Sequence, residues 1–167
     1  MPLESVYLFQ EVGEQARNEV AQIAAEESFS QGAFLFHAGD PADHIYILQK
    51  GWVRLSVARR GLLSHIVSDP GEAIGWSSKA GNGVYTASAE CLIPVTVLKI
   101  GQERLNQILE RDPASGLSFC RRLARMMGRR LSASCGATLS MQFPGDTCSY
   151  GQAWRTNRRE LPEILVG

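Results

Sequence analysis

The sequence predicts a mainly β protein with flanking helices, an antiparallel jelly-roll β-barrel, and three observations carry that expectation. Short apolar runs alternate with turn residues between Phe34 and Ile100, the spacing of a small sheet protein. A helical period from Glu14 to Glu27 precedes them. A long apolar stripe at steps of three and four, Leu117 to Ser134, follows them.

In chain order, Ala16, Val20, Ile23 and Ala24 recur with helical spacing, predicting a helix that ends near Ser28. Phe34-Leu35-Phe36 then reads as a strand, Gly39-Asp40-Pro41 as a turn and Ile45-Tyr46-Ile47-Leu48 as the next strand. Gln49-Lys50-Gly51 separates that run from Val53, Leu55 and Val57, which alternate with Arg54 and Ser56 as the second arm of a hairpin. Arg59-Arg60-Gly61 and Asp69-Pro70-Gly71 bracket a strand from Leu62 to Val67, and Tyr85 to Cys91 and Pro94 to Ile100 complete the set. Gln102 to Arg111 is amphipathic through Leu105, Ile108 and Leu109. Asp112-Pro113 supplies a cap and a first-turn proline, so a longer helix begins there and runs to about residue 134.

That last helix carries Leu117, Cys120, Ala124, Met127, Leu131 and Ser134 on one stripe, flanked by Arg121, Arg122, Arg125, Arg129 and Arg130. Packing on the chain's own sheets is one use of the stripe; a seam with a second copy is the other, and it predicts a homodimer through the C-terminal helix, with the arginines as a solvated face. Residues 1–135 therefore read as the folded domain and 136–167 as an irregular extension, basic at Arg155, Arg158 and Arg159 around Trp154. The closing Leu161 to Val166 run is a candidate to dock on the body.

Composition excludes several function classes. Hydrophobic residues at 44% and charged residues at 20% describe a globular chain, and 17 basic against 17 acidic side chains give no overall charge to drive nucleic-acid or membrane binding. No apolar run approaches the ~20 residues of a membrane span, and Met1 to Gly13 lacks the basic start of a signal peptide, so the expected location is the cytoplasm. Cys91, Cys120, Cys135 and Cys148 have no Cys-x-x-Cys spacing and read as reduced thiols. His37, His44 and His65 form no His-x-His pair, and no Ser/His/Asp or Cys/His grouping stands out, so no metal and no enzymatic activity are predicted.

Gly71-Glu72-Ala73-Ile74-Gly75-Trp76, followed by Tyr85-Thr86-Ala87, gathers glycines, a carboxylate and a hydroxyl between strand-like runs. Glycine lets backbone approach a ligand, and N–H groups at a helix start receive phosphate. A bland turn is the plainer alternative.

With the Phe36-His37-Ala38-Gly39-Asp40 turn and Ile45-Tyr46-Ile47-Leu48 leading to Gly51, these segments resemble the cyclic nucleotide-binding domain of the cyclic-AMP receptor protein and fumarate-nitrate regulator superfamily, over about residues 14–135. The resemblance implies a sensory or regulatory module without enzymatic activity. Its phosphate-binding cassette opens at a Gly-Glu pair, placed here at Gly71 and Glu72, where the glutamate holds a ribose hydroxyl and a short helix offers N–H groups to the cyclic phosphate. Gly71, Glu72, Ala73, Ile74, Gly75, Tyr85, Thr86 and Ala87 are thereby the expected ligand-lining residues, for cyclic AMP or cyclic GMP.

Two departures stand out. Tyr85 occupies the position of the family's phosphate-pairing arginine, and Lys79 is the nearby cation that remains. A charge-assisted contact is worth about 1.5–3 kcal/mol, so its loss leaves weak nucleotide binding, another ligand or an empty interaction module all open. The family's regulators also carry a helix-turn-helix after the long helix. The residues after Cys135 contain no such pair, so sequence-specific DNA binding by this chain is not expected.

Overall fold

The computed structural model describes residues 2–57, 63–77 and 83–142. Two 3₁₀ turns, Leu3–Ser5 and Tyr7–Phe9, lead into α1 (Glu14–Ile23). Eight strands follow: β1 (Ala24–Phe29), β2 (Phe34–Phe36), β3 (His44–Lys50), β4 (Val53–Val57), β5 (Leu63–Val67), β6 (Ala73–Ile74), β7 (Ser88–Cys91) and β8 (Val95–Gly101). The chain then enters α2 (Gln102–Arg111) and α3 (Pro113–Gln142). It divides into two compact units, residues 1–127 and 128–167, the division falling within α3.

The strands form two antiparallel four-stranded sheets, ordered β1-β8-β3-β6 and β2-β7-β4-β5, and are not closed into the expected barrel. The first sheet is covered on both faces. That explains why β3 is a continuous apolar run: Ile45 and Ile47 join a cluster with Leu8, Phe9, Val20, Leu105 and Phe119 on the helical side, while Tyr46 and Leu48 join Phe36, Val53, Ile74, Ala89 and Val97 between the sheets. Gly51 turns the β3–β4 hairpin at φ +104°, where a Cβ would lie 2.6 Å from the Pro94 carbonyl oxygen, so only glycine fits.

Three expectations are corrected. The helical period ends at Ile23, not near Ser28, because the Ala24–Phe29 backbone pairs with β8 in unbroken register from Ala24–Ile100 to Phe29–Val95, and this ladder overrides the helix propensity of Ala and Glu. The last helix continues through Gly136 to Gln142, so the extension is not irregular from residue 136. An isolated glycine costs a helix only about 1 kcal/mol, so Gly136 does not end it. Arg122 is buried rather than solvated, as described below. The turn at 59–61, Lys79, Cys148 and the tail with Trp154, Arg155, Arg158, Arg159 and Leu161–Val166 lie outside the described residues. Among the described residues, no helix is long and apolar enough to cross a membrane.

The Asp112 cap forms as expected. Its carboxylate accepts the Ser115 backbone N–H at 3.2 Å and the Ser115 hydroxyl, which hold its pKa below the ordinary 3.8. The Ser115 hydroxyl in turn accepts the Gly13 N–H at 2.7 Å, fastening the start of α3 to the start of α1.

Candidate functional site

The expected cassette begins at the edge of the first sheet. Gly71 donates its N–H to the Leu48 carbonyl at 2.7 Å, and the Leu48 N–H donates to the Glu72 carbonyl at 2.9 Å, so Gly71-Glu72 is the approach to β6. Two paired residues follow, Ile74 opposite Tyr46 and Ala73 opposite Ile47. Their side chains part: Ala73 joins the helical-side cluster and Ile74 the cluster between the sheets. Only after Gly75, at φ +82°, does the chain enter a short helical turn at 76–77. The residue at the head of that turn is Trp76, an indole packed on the helical-side cluster, while Glu72 stands four positions earlier.

The far end of the cassette is held by the Gly39-Asp40 turn. Gly39 donates to the Tyr85 carbonyl at 2.8 Å and Tyr85 donates to the Asp40 carbonyl at 2.9 Å, which fixes the direction of the Tyr85 side chain. That side chain is 3% exposed. Its ring stacks on Phe36 with centroids 3.7 Å apart, and its hydroxyl donates to the His44 carbonyl at 2.8 Å and accepts the His44 N–H at 3.3 Å. Burial is the main reason the phenol's pKa rises well above its ordinary 10, so Tyr85 stays a neutral hydrogen-bonding group. Burial, with Lys99 nearby, lowers the His44 pKa below 6.5. Thr86 is exposed, its hydroxyl 3.1 Å from that of Ser77, and Ala87 is half-buried beside it in sequence. The structure thus brings Ile74, Gly75 and Tyr85 together between the sheets, joins Thr86 to Ser77 at the surface, and sets Ala73 on the other face.

The terminal helix has two faces. Leu117 and Leu131 are 53% and 66% exposed, and Cys120 and Ala124 are exposed as well, whereas Met127 packs partly on the helical-side cluster. The buried face of the first unit is Ser115, Phe119, Leu123 and Met126, with Phe119 5.5 Å from the Phe9 ring. Arg122 lies among them. Its guanidinium donates to the Tyr7 carbonyl at 2.9 Å, to Gln10 Oε1 at 3.0 Å and to Glu11, and sits 4.5 Å from the Tyr7 ring centre. Sequence reasoning missed this residue, because its partners lie more than a hundred positions away.

The sequence profile described as "cyclic nucleotide-binding domain" matches residues 26–112, more than half of the chain. A solved structure of a putative cyclic nucleotide-binding protein from Geobacter metallireducens GS-15 is 29% identical, with TM-score 0.69 over 77% of this chain and 95% of that one. The N-terminal domain of a transcriptional regulator from Streptomyces coelicolor A3(2) is 28% identical, with TM-score 0.60 over 77% and 94%. Among curated proteins, an uncharacterized NTE family protein of Mycobacterium tuberculosis is 27% identical over 127 residues, 75% of this chain and 21% of that protein. The chain thus spans about a fifth of the length of the curated relatives it matches. By its profile match and its paired antiparallel sheets, the chain belongs to the cyclic nucleotide-binding domain family.

Proposed function

We propose that this chain is a non-enzymatic regulatory module whose nucleotide-anchoring positions have been given over to packing, and which acts through protein contacts made by α3. One observation carries the reading: Tyr85, at the position of the family's phosphate-pairing arginine, is stacked on Phe36 with its hydroxyl spent on the His44 backbone. A phenol so engaged brings no charge to a phosphate, and Trp76 brings no carboxylate to a ribose at the head of the turn. The exposed stripe of Leu117, Cys120, Ala124 and Leu131 supports a homodimer along α3, because a second copy would cover apolar side chains now facing water.

Thermal melting with cyclic AMP and cyclic GMP tests the reading. No shift is expected at millimolar nucleotide. A ligand present at 100 times its Kd stabilises by about 2.7 kcal/mol, and a shift of that size would overturn it. A weak surface site is the second reading, favoured by the Ser77 and Thr86 hydroxyls meeting at the helical turn. In that case the melting shift is present in the parent and lost in Thr86→Val.

A further inference from the structure

The edge of β3 contains a vacancy in its pattern that one side chain fills. Leu48, Tyr46 and His44 alternate along β3, so their N–H and C=O groups face the same edge, the one toward β6. Leu48 uses both groups on the Gly71-Glu72 backbone, and Tyr46 stands opposite Ile74. Continued by two residues, this register would set Trp76 opposite His44. The chain does not continue: at Gly75 it takes φ +82° and enters the helical turn. The two His44 backbone groups are taken instead by one phenol oxygen, Tyr85 Oη, which donates to the carbonyl at 2.8 Å and accepts the N–H at 3.3 Å.

We infer that Tyr85 is the end-stop of β6: its hydroxyl takes the place of the Trp76 backbone in the ladder and thereby holds the head of the cassette turned away from the sheet. The two occupants exclude each other, since His44 has one N–H and one C=O on that edge. The neighbouring contacts favour the turned-out state. Trp76 reaches the helical-side cluster, and Gln102, the first residue of α2, has its side-chain amide 3.4 Å from the Gly75 carbonyl. Gly75 itself is wedged, since a Cβ there would lie 3.0 Å from the Tyr85 ring and 3.1 Å from the His44 carbonyl. A side chain of the protein therefore sets the position of Gly75 and Trp76 relative to α2, within the first unit, with no ligand required. This inference rests on the reading of Tyr85 as a packing residue.

Amide hydrogen exchange and NMR on the full chain carrying Tyr85→Phe test it, because the ring stack on Phe36 is kept and only the hydroxyl is removed. The expected result is an extended β6: the Trp76 amide exchanges about tenfold more slowly than in the parent, and a new contact between the Ile45 and Gly75 Hα protons appears. Gly75→Ala, which penalises the positive φ, should slow the same amide by an independent route. If Trp76 exchange is unchanged in both variants while only the His44 amide speeds up, the hydroxyl merely caps an edge and the end-stop is refuted. A parallel cyclic AMP titration of the parent separates the two ideas. Saturable binding to the parent would refute the proposed function, whereas the response of the Trp76 amide decides the end-stop alone.

Discussion

The two apolar clusters on either side of the first sheet treat polar groups in opposite ways. Between the sheets the structure places a stacked, neutral phenol whose hydroxyl is bonded to the His44 backbone and to Tyr46. On the helical side it buries a guanidinium whose two terminal nitrogens are met by a carbonyl, an amide and a carboxylate from the N-terminal segment, while its Nε has no hydrogen-bond partner. The difference teaches which region is specialised for what. Burying a charge is costly unless its partners are fixed, so Arg122 specifies one seating of residues 7–11 on α3, whereas Tyr85 is a neutral member of the cluster between the sheets.

The comparison breaks most severely on the helical side. Phe119→Ala removes a fully buried ring packed on Phe9 and should cost about 3–5 kcal/mol in chemical denaturation. Between the sheets, Tyr85→Arg places a charge in a 3% exposed position and should destabilise by about 3 kcal/mol. On the proposed function it also supplies the cation that a cyclic phosphate needs. Its melting temperature should therefore rise with cyclic AMP where the parent's does not, and identical nucleotide responses in the two proteins would show that Tyr85 is not what excludes the ligand.

The bare face of α3 sharpens the contrast with the buried one. Light scattering should report a dimer for the parent and a monomer for Leu117→Glu with Leu131→Glu, while stability of the monomeric fold changes by less than about 0.5 kcal/mol because both side chains are exposed. Cys120 lies on the same stripe, and mild oxidation should cross-link the parent more readily than the double variant.

The smallest effect is acid-dependent. The Arg122 hydrogen bond and charge hold the Glu11 carboxyl below 4.5, and the Ser115 hydroxyl and N–H hold Asp112 below 3.8. Both pKa values are depressed in the folded state, so their contribution is present above those ordinary values and is lost as pH falls through the depressed ones. Melting temperature should thus climb with pH across that acid window, less steeply in Glu11→Gln; an equal slope in the variant would sink the attribution.

Much of the fold was legible because alternation and helical period are local. β2 to β5, β7, β8 and α2 follow from residues read in place, and the Asp112-Pro113 cap marks the start of α3 correctly. β1 was not legible, since Ala24 to Phe29 has the composition of a helix and becomes a strand only through β8. β6 is two residues long and shows no period at all. That brevity also hid the geometry of the candidate site: both Gly71 and Gly75 could open the helical turn, and only the strand between them decides for Gly75. The closure of Tyr85 onto His44 was not legible, because it depends on a backbone contact forty-one positions away. The α3 stripe concealed a second, buried face because Phe119, Leu123 and Met126 interleave with Leu117, Cys120 and Ala124 at the same spacing.

The central claim is that the space of the phosphate partner is filled from within, and calorimetric titration of the unmodified chain with cyclic AMP tests it most directly. The account predicts no saturable heat, meaning a Kd weaker than about 1 mM, or less than about 4.1 kcal/mol of binding free energy. A one-to-one isotherm in the micromolar range, accompanied by release of the Tyr85 hydroxyl from His44, would contradict it.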